Sequence, residues 1–182
     1  SHMNAVVNWV DLFDVLRAIV IVGAVVLYLA MTAGRLDRLH IRVDAARASL
    51  ELQLALRAEV VAEVVTDGNV DPVSQQLLTA GLQSRRGHTD QGIHVAPEAE
   101  ISALLREVVE AHDGVVAGEE LQSELRSACN RVEFANRFYN DAVEAAQGMR
   151  NRPIVKYLGL AGHTAYPMPL QFDVLAPEFP DS

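Results

Sequence analysis

From Leu121 to Met149 the apolar and small residues fall at Leu121, Leu125, Ala128, Val132, Ala135, Tyr139, Ala142, Ala146 and Met149. The steps alternate four and three, which keeps one face of a helix apolar and predicts a helix over 119–150. An earlier stripe, Leu36, Leu39, Val43, Ala46, Leu50, Leu54, Ala58, Val61 and Val65, repeats close to the helical period. No Gly or Pro interrupts residues 36–66, so this predicts one amphipathic helix about 45 Å long at ~1.5 Å rise per residue. Gly68 and Asn69 end it. Asp71 then supplies an N-cap and Pro72 a first helical residue. Val73, Leu77, Leu78 and Leu82 give that second helix a face, which fades near Arg85. The run "RRGHTDQGIHVAP" is a polar loop. A third helix follows from about Pro97 to His112, with Ile101, Leu104, Leu105, Val108 and Val109 inward, until residues 114–118 break it.

The pattern therefore predicts an all-α chain. Two long and two short helices, joined by short connections, form an antiparallel up-down four-helix bundle. Alanines at 128, 135, 142 and 146 let helix backbones approach closely. The Ala- and Val-lined face of the first long helix is the expected partner, in a coiled-coil-like seam.

Ahead of the bundle, Val15 to Gly34 carries one charge, Arg17, in a stretch long enough to cross a bilayer's hydrocarbon layer. The arginine stem can carry its guanidinium back to the interface, and Trp9 sits where a headgroup anchor would. A core helix would show a polar face, and residues 18–34 show none. A signal peptide would begin basic, yet Asp11 and Asp14 precede the apolar run; Met31 and Ala33 also make a poor cleavage site. The reading is a single-pass anchor. Arg35, Arg38, Arg42 and Arg47 follow it, which places the N-terminus outside and the remainder in the cytoplasm, at the plasma or inner membrane. The expected division is a short outer N-terminus at 1–14, where Ser1-His2-Met3 reads as a tag remnant, and a span at 15–34. The bundle occupies 35–150, and an apolar and basic tail 151–182.

Half of the 182 residues are apolar and aromatics are scarce, which suits a helical core. A formal charge of −9 argues against nucleic acid as a partner. The single cysteine, Cys129, forms no internal disulfide and reads as a small buried hydrophobe. If the first long helix leads away from the membrane, the last returns, and the tail starts near the membrane face. Arg150, Arg152 and Lys156 stand there beside Tyr157 and aliphatic residues. This set either touches an anionic lipid surface or covers the base of the bundle.

Signals for catalysis are weak. No histidine follows a Glu by three positions, as di-metal bundles require. His88 and His94 share a loop with Asp90 but lack ligand spacing, and read as solvated. Gly159-Leu160-Ala161-Gly162 lacks the strand, helix and lysine of a phosphate loop. Tyr139 is the one polar-tipped residue in its seam and needs a hydrogen-bond partner, either structural or a ligand.

Cys129 to Val143, "CNRVEFANRFYNDAV", resembles the signature helix of the LemA family of bacterial membrane proteins. The resemblance rests on Asn130-Arg131, Arg137, Tyr139-Asn140 and Ala142-Val143. Pro153 and the apolar stretch to Phe172 are similar to the family's closing segment, and Val43-Asp44-Ala45-Ala46 with Gln53-Leu54 to its first soluble helix. The first helix here lacks the family's proline. The resemblance implies one N-terminal membrane helix and a long cytoplasmic helical domain; it implies no reaction. The functional expectation is a non-enzymatic scaffold or interaction module, without cofactor or identified small-molecule substrate. Its partners are the lipid bilayer and another membrane protein or a second copy. The alternatives are a ligand-binding or enzymatic bundle using Tyr139 or the His88–His94 loop, and a self-assembling homo-oligomer.

Overall fold

The computed structural model describes residues 2–67, 69–88, 93–151, 153, 168–170 and 176–179, with side chains from residue 12 onward, Arg150 excepted. Among these residues there are four helices and no strand: α1 His2–Asp67, α2 Pro72–Arg86, α3 Val95–Ala111 and α4 Glu119–Arg150. Arg152, Lys156, Tyr157 and Asp90 lie outside the described residues.

The chain divides into two compact units, one of Ser1–Ile41 with Ala146–Ala165, the other of Arg42–Ala145 with Tyr166–Ser182. The first unit contains the N-terminal stretch of α1, which is long and apolar enough to cross a membrane. None of that stretch is buried; Leu29 is half-buried, and its other large apolar side chains from Leu12 to Met31 are 49–65% exposed. A core helix of a soluble domain would hide most of that surface. Lower in the unit Thr32 and Leu36 are buried, and the Thr32 hydroxyl donates to the Tyr28 carbonyl at 2.8 Å.

The second unit holds the main core. Val60, Val61 and Val64 of α1, Leu78 and Leu82 of α2, Ile101, Leu105, Val108 and Val109 of α3, and Leu125, Ala128 and Cys129 of α4 form one buried cluster. The turn after α1 is fixed by Asp71. Its carboxylate accepts from the backbone N–H of Val73 (2.9 Å) and Ser74 (3.2 Å) and from the Ser74 hydroxyl (2.5 Å). These bonds, the hydroxyl first, hold the Asp71 carboxyl below its ordinary pKa. His112 closes the same turn from the end of α3. Its Nδ1–H donates to the Val108 carbonyl (2.8 Å), and the Asp71 amide lies 3.3 Å from its Nε2. Between α3 and α4, Asp113 (φ 53°) and Gly114 (φ 83°) form a bend with left-handed backbone. The Gln122 side chain ties that bend by accepting from Val116 and Ala117 N–H and donating to the Gly114 carbonyl.

Two faces differ from the sequence pattern. On α2, Val73 and Leu77 are exposed while Ser74 and Gly81 are buried. The cause is the close approach of α3: a Cβ on Gly81 would stand 3.0 Å from Leu104 Cδ1 and 3.5 Å from Ile101 Cγ1. Only glycine lets the helices meet there without displacing Leu104, and the turn of the helix that follows brings Ser74 inward. On α1 the buried series reads Leu50, Leu54, Arg57, Val61, Val64, so an arginine occupies the place expected for Ala58. Its charge is answered from α3, as described below.

Candidate interaction site on α4

Tyr139 and Asn140 lie side by side on α4, the first buried and the second half-buried. The Tyr139 hydroxyl donates to the Met168 carbonyl at 3.1 Å. Burial raises the phenol's pKa, against a smaller opposing influence of Arg47, so the hydroxyl keeps the proton that this bond requires. Asn140 reads both polar groups of one residue in the tail. Its Nδ2 donates to the Leu170 carbonyl (3.3 Å) and its Oδ1 accepts from the Leu170 N–H (2.9 Å).

The contact continues toward the N-terminal end of α4. Arg137 forms an i,i+4 ion pair with Oε1 of Glu133, a favourable order on a helix. Oε2 of Glu133 is thereby left facing the Ala176 N–H, 3.5 Å away. About two turns further on, the Arg126 guanidinium stands 5.5 Å from the centre of the Phe179 ring, a cation–π contact. Ala176 and Phe179 pack against the main core, and Pro177 is buried. The tail thus descends α4 in the order 168, 170, 176, 179 against 139, 140, 133, 126. Four of the five contacts touch main chain and the fifth the face of a ring, so the seat recognises its occupant mainly through backbone groups. Prolines suit such a segment: Pro169 and Pro177 restrict Met168 and Ala176 to extended conformations, and the two N–H groups used belong to Leu170 and Ala176. A cavity of about 710 Å³ opens between this tail and the end of α3, lined by Arg106, Glu110, Asp113 and Glu178 among others.

A buried polar group joins the other three helices. The Arg57 guanidinium, 2% exposed, donates to Ser102 Oγ (2.8 Å), to the Glu98 carbonyl (3.4 Å) and to Glu98 Oε2 (3.1 Å). Arg85 of α2 donates from Nε to the other carboxylate oxygen, Oε1, at 2.7 Å. One carboxylate therefore joins α1, α2 and α3. Burial pulls the Arg57 pKa down and Glu98 opposes this, while burial pushes the nearby Cys129 thiol up to about 11. At that value the thiol is protonated at neutral pH and unreactive.

Next to Glu98 a cavity of about 160 Å³ is lined by Glu51, Arg85, His88, His94, Pro97 and Glu98. His88 donates from Nδ1 to the Ser84 carbonyl (2.8 Å). The two imidazole rings are 5.1 Å apart, and among the described residues the buried His94 Nε2 has no hydrogen-bond partner. The structure therefore brings together two histidines that sequence spacing left as a loose pair. Among the described residues no group of three or more His, Cys, Asp or Glu side chains could hold a metal ion.

Of the other residues singled out in sequence, Ala142 and Val143 are buried, while Asn130 and Arg131 are exposed on the outer side of α4. Arg35 and Arg38 are exposed, and Arg42 lies over the Phe138 ring at 5.3 Å. Glu133, Arg126 and the Arg57–Glu98–Arg85 group carried no sequence signal, because each contact depends on residues 13 to 53 positions away in the chain. No family model, curated protein or solved structure matches this chain.

Proposed function

We propose that the chain is a membrane-anchored helical protein that docks or organises other membrane proteins and catalyses nothing. The observation that carries this reading is the uncovered apolar length of α1 from Leu12 to Met31. Surface of that extent finds an apolar environment in lipid, and a stretch of about 20 residues suffices to span it. Arg35, Arg38 and Arg42 favour the cytoplasm for the domain that follows. The reading includes the antiparallel up-down arrangement, supported by Arg42 over Phe138 at one level and by Val60, Val61 and Leu125 in one cluster at another. It includes the resemblance to the LemA family, which rests on the helix that carries Tyr139 and Asn140. Contact of Arg150, Arg152, Lys156 and Tyr157 with anionic headgroups belongs to it as well. Crosslinking in native membranes, followed by identification of what is attached, tests it. Specific capture of a membrane protein is expected. Quantitative recovery as an uncrosslinked monomer contradicts it.

A second reading has its own observation, the Nε2 of His94, which has no partner among the described residues, at the cavity shared with His88. Here the domain binds a small ligand that supplies the missing hydrogen bond. A ligand that raises the melting temperature of the intact protein, but not of His94→Ala, supports this reading; elemental analysis of the purified chain shows whether the ligand is a metal.

A further inference from the structure

The outer face of α4 carries a second stripe. Ser127, Arg131, Phe134, Phe138, Asp141 and Ala145 follow one another at steps of four, three, four, three and four, and all six are exposed. Phe134 is 70% exposed, and Phe138 is 49% exposed although Arg42 stands over its ring. Spacing of this kind keeps the residues on one line along a helix, the arrangement by which one helix packs along another. The core-facing stripe of α4, with Leu125, Val132, Ala142 and Val143, lies on its other side.

The order of residues in the outer stripe decides which helix fits it. Read backwards, the stripe is its own complement: Ser127 and Ala145, Arg131 and Asp141, and Phe134 and Phe138 are equidistant from position 136. We propose that two copies of the chain pair through this face, their α4 helices antiparallel about a two-fold axis at the level of position 136. Phe134 of each copy meets Phe138 of the other, and the two aromatic pairs fill the middle of the contact. Arg131 of each copy faces Asp141 of the other, and the small Ser127 and Ala145 close the ends. The two charges stand about 15 Å apart along one helix, too far to pair within a copy. Among the described residues neither has another ion-pair partner. A parallel pairing sets Arg131 against Arg131 and Asp141 against Asp141, and like charges disfavour it. The antiparallel pairing repeats every contact twice and leaves no open end. It goes beyond the membrane-anchored reading, since the whole stripe lies in the compact unit that begins at Arg42.

The test uses the full-length chain in mild detergent, where an anchor imposes no common direction on two domains, with its one cysteine replaced, Cys129→Ala. A chain with Ser127→Cys is mixed with a size-tagged chain carrying Ala145→Cys, and a short bis-maleimide links thiols that come close. Within one helix the two positions are about 27 Å apart, so the product reports contact between copies. A covalent heterodimer is expected at several times the yield of same-site products, and of a control pairing Ser127→Cys with Glu59→Cys. Arg131→Asp in both chains should lower that yield several-fold, and adding Asp141→Arg to the same chains should restore it, with helix content by circular dichroism unchanged throughout. Same-site products in excess overturn the antiparallel pairing. So does a heterodimer yield no higher than the control, or one that Arg131→Asp leaves unchanged. None of these results bears on the anchor, which membrane fractionation of the same chains decides.

Discussion

Arg57 concentrates the energetic questions at the scale of single residues. It sits in the core face of α1 where periodicity places an alanine, and Glu98 holds it together with Arg85. The two ends of this group respond differently to substitution. Arg57→Met keeps much of the volume and leaves Glu98 paired with Arg85, so the loss should stay within about 1–2 kcal/mol. Glu98→Gln leaves a buried guanidinium without its counter-charge, and the loss should reach about 3 kcal/mol. Thermal or denaturant unfolding of the intact protein in detergent compares them; a larger loss for Arg57→Met would contradict the assignment. Tyr139 is the opposite case. Its hydroxyl stood out in sequence as needing a partner, and the partner is the Met168 carbonyl. The need was legible and the partner was not, because the tail's return along α4 has no periodic pattern to announce it.

At the scale of elements, local chemistry fixed the start of α2. Asp71 and Pro72 are adjacent in sequence, and the cap they form needs nothing from elsewhere. The folded-state pKa of Asp71 lies below its unfolded value. Its stabilising contribution is therefore complete above the unfolded carboxylate range, about pH 4, and fades as pH falls through the lower folded value. Asp71→Ala should melt at lower temperature than the natural chain at neutral pH, with the gap narrowing below about pH 4. A gap that widens on acidification would show that the carboxylate does not act as the charged cap. The face of α2 was misread for a tertiary reason. Hydropathy assigns Val73 and Leu77 inward, whereas close packing at Gly81 against Leu104 and Ile101 decides the rotation of the helix. Gly81→Leu should destabilise the domain by about 1–3 kcal/mol through overpacking. Gly81→Ala should be nearly neutral, since the helix-propensity gain of up to ~1 kcal/mol offsets the displacement of Leu104. An unchanged melting temperature for Gly81→Leu would mean that α2 and α3 do not meet there.

For the molecule as a whole, the class of fold and the apolar N-terminal helix were both legible, because long stripes and long apolar runs are properties of the chain alone. Of the candidate site only Tyr139 and Asn140 were legible. Glu133 reads as a surface acid and Arg126 as a surface base until the tail lies across them. The His88–His94 pair likewise becomes a cavity wall only when the end of α2 and the start of α3 converge. Function at this scale turns on where the exposed apolar length of α1 resides. Protease treatment of intact spheroplasts from a host producing the chain, beside inverted membrane vesicles, measures this directly. The protein should sediment with membranes, its domain beyond Arg42 resisting digestion in spheroplasts and being cut in inverted vesicles. Release into the soluble fraction, or digestion of that domain from outside, would contradict the account.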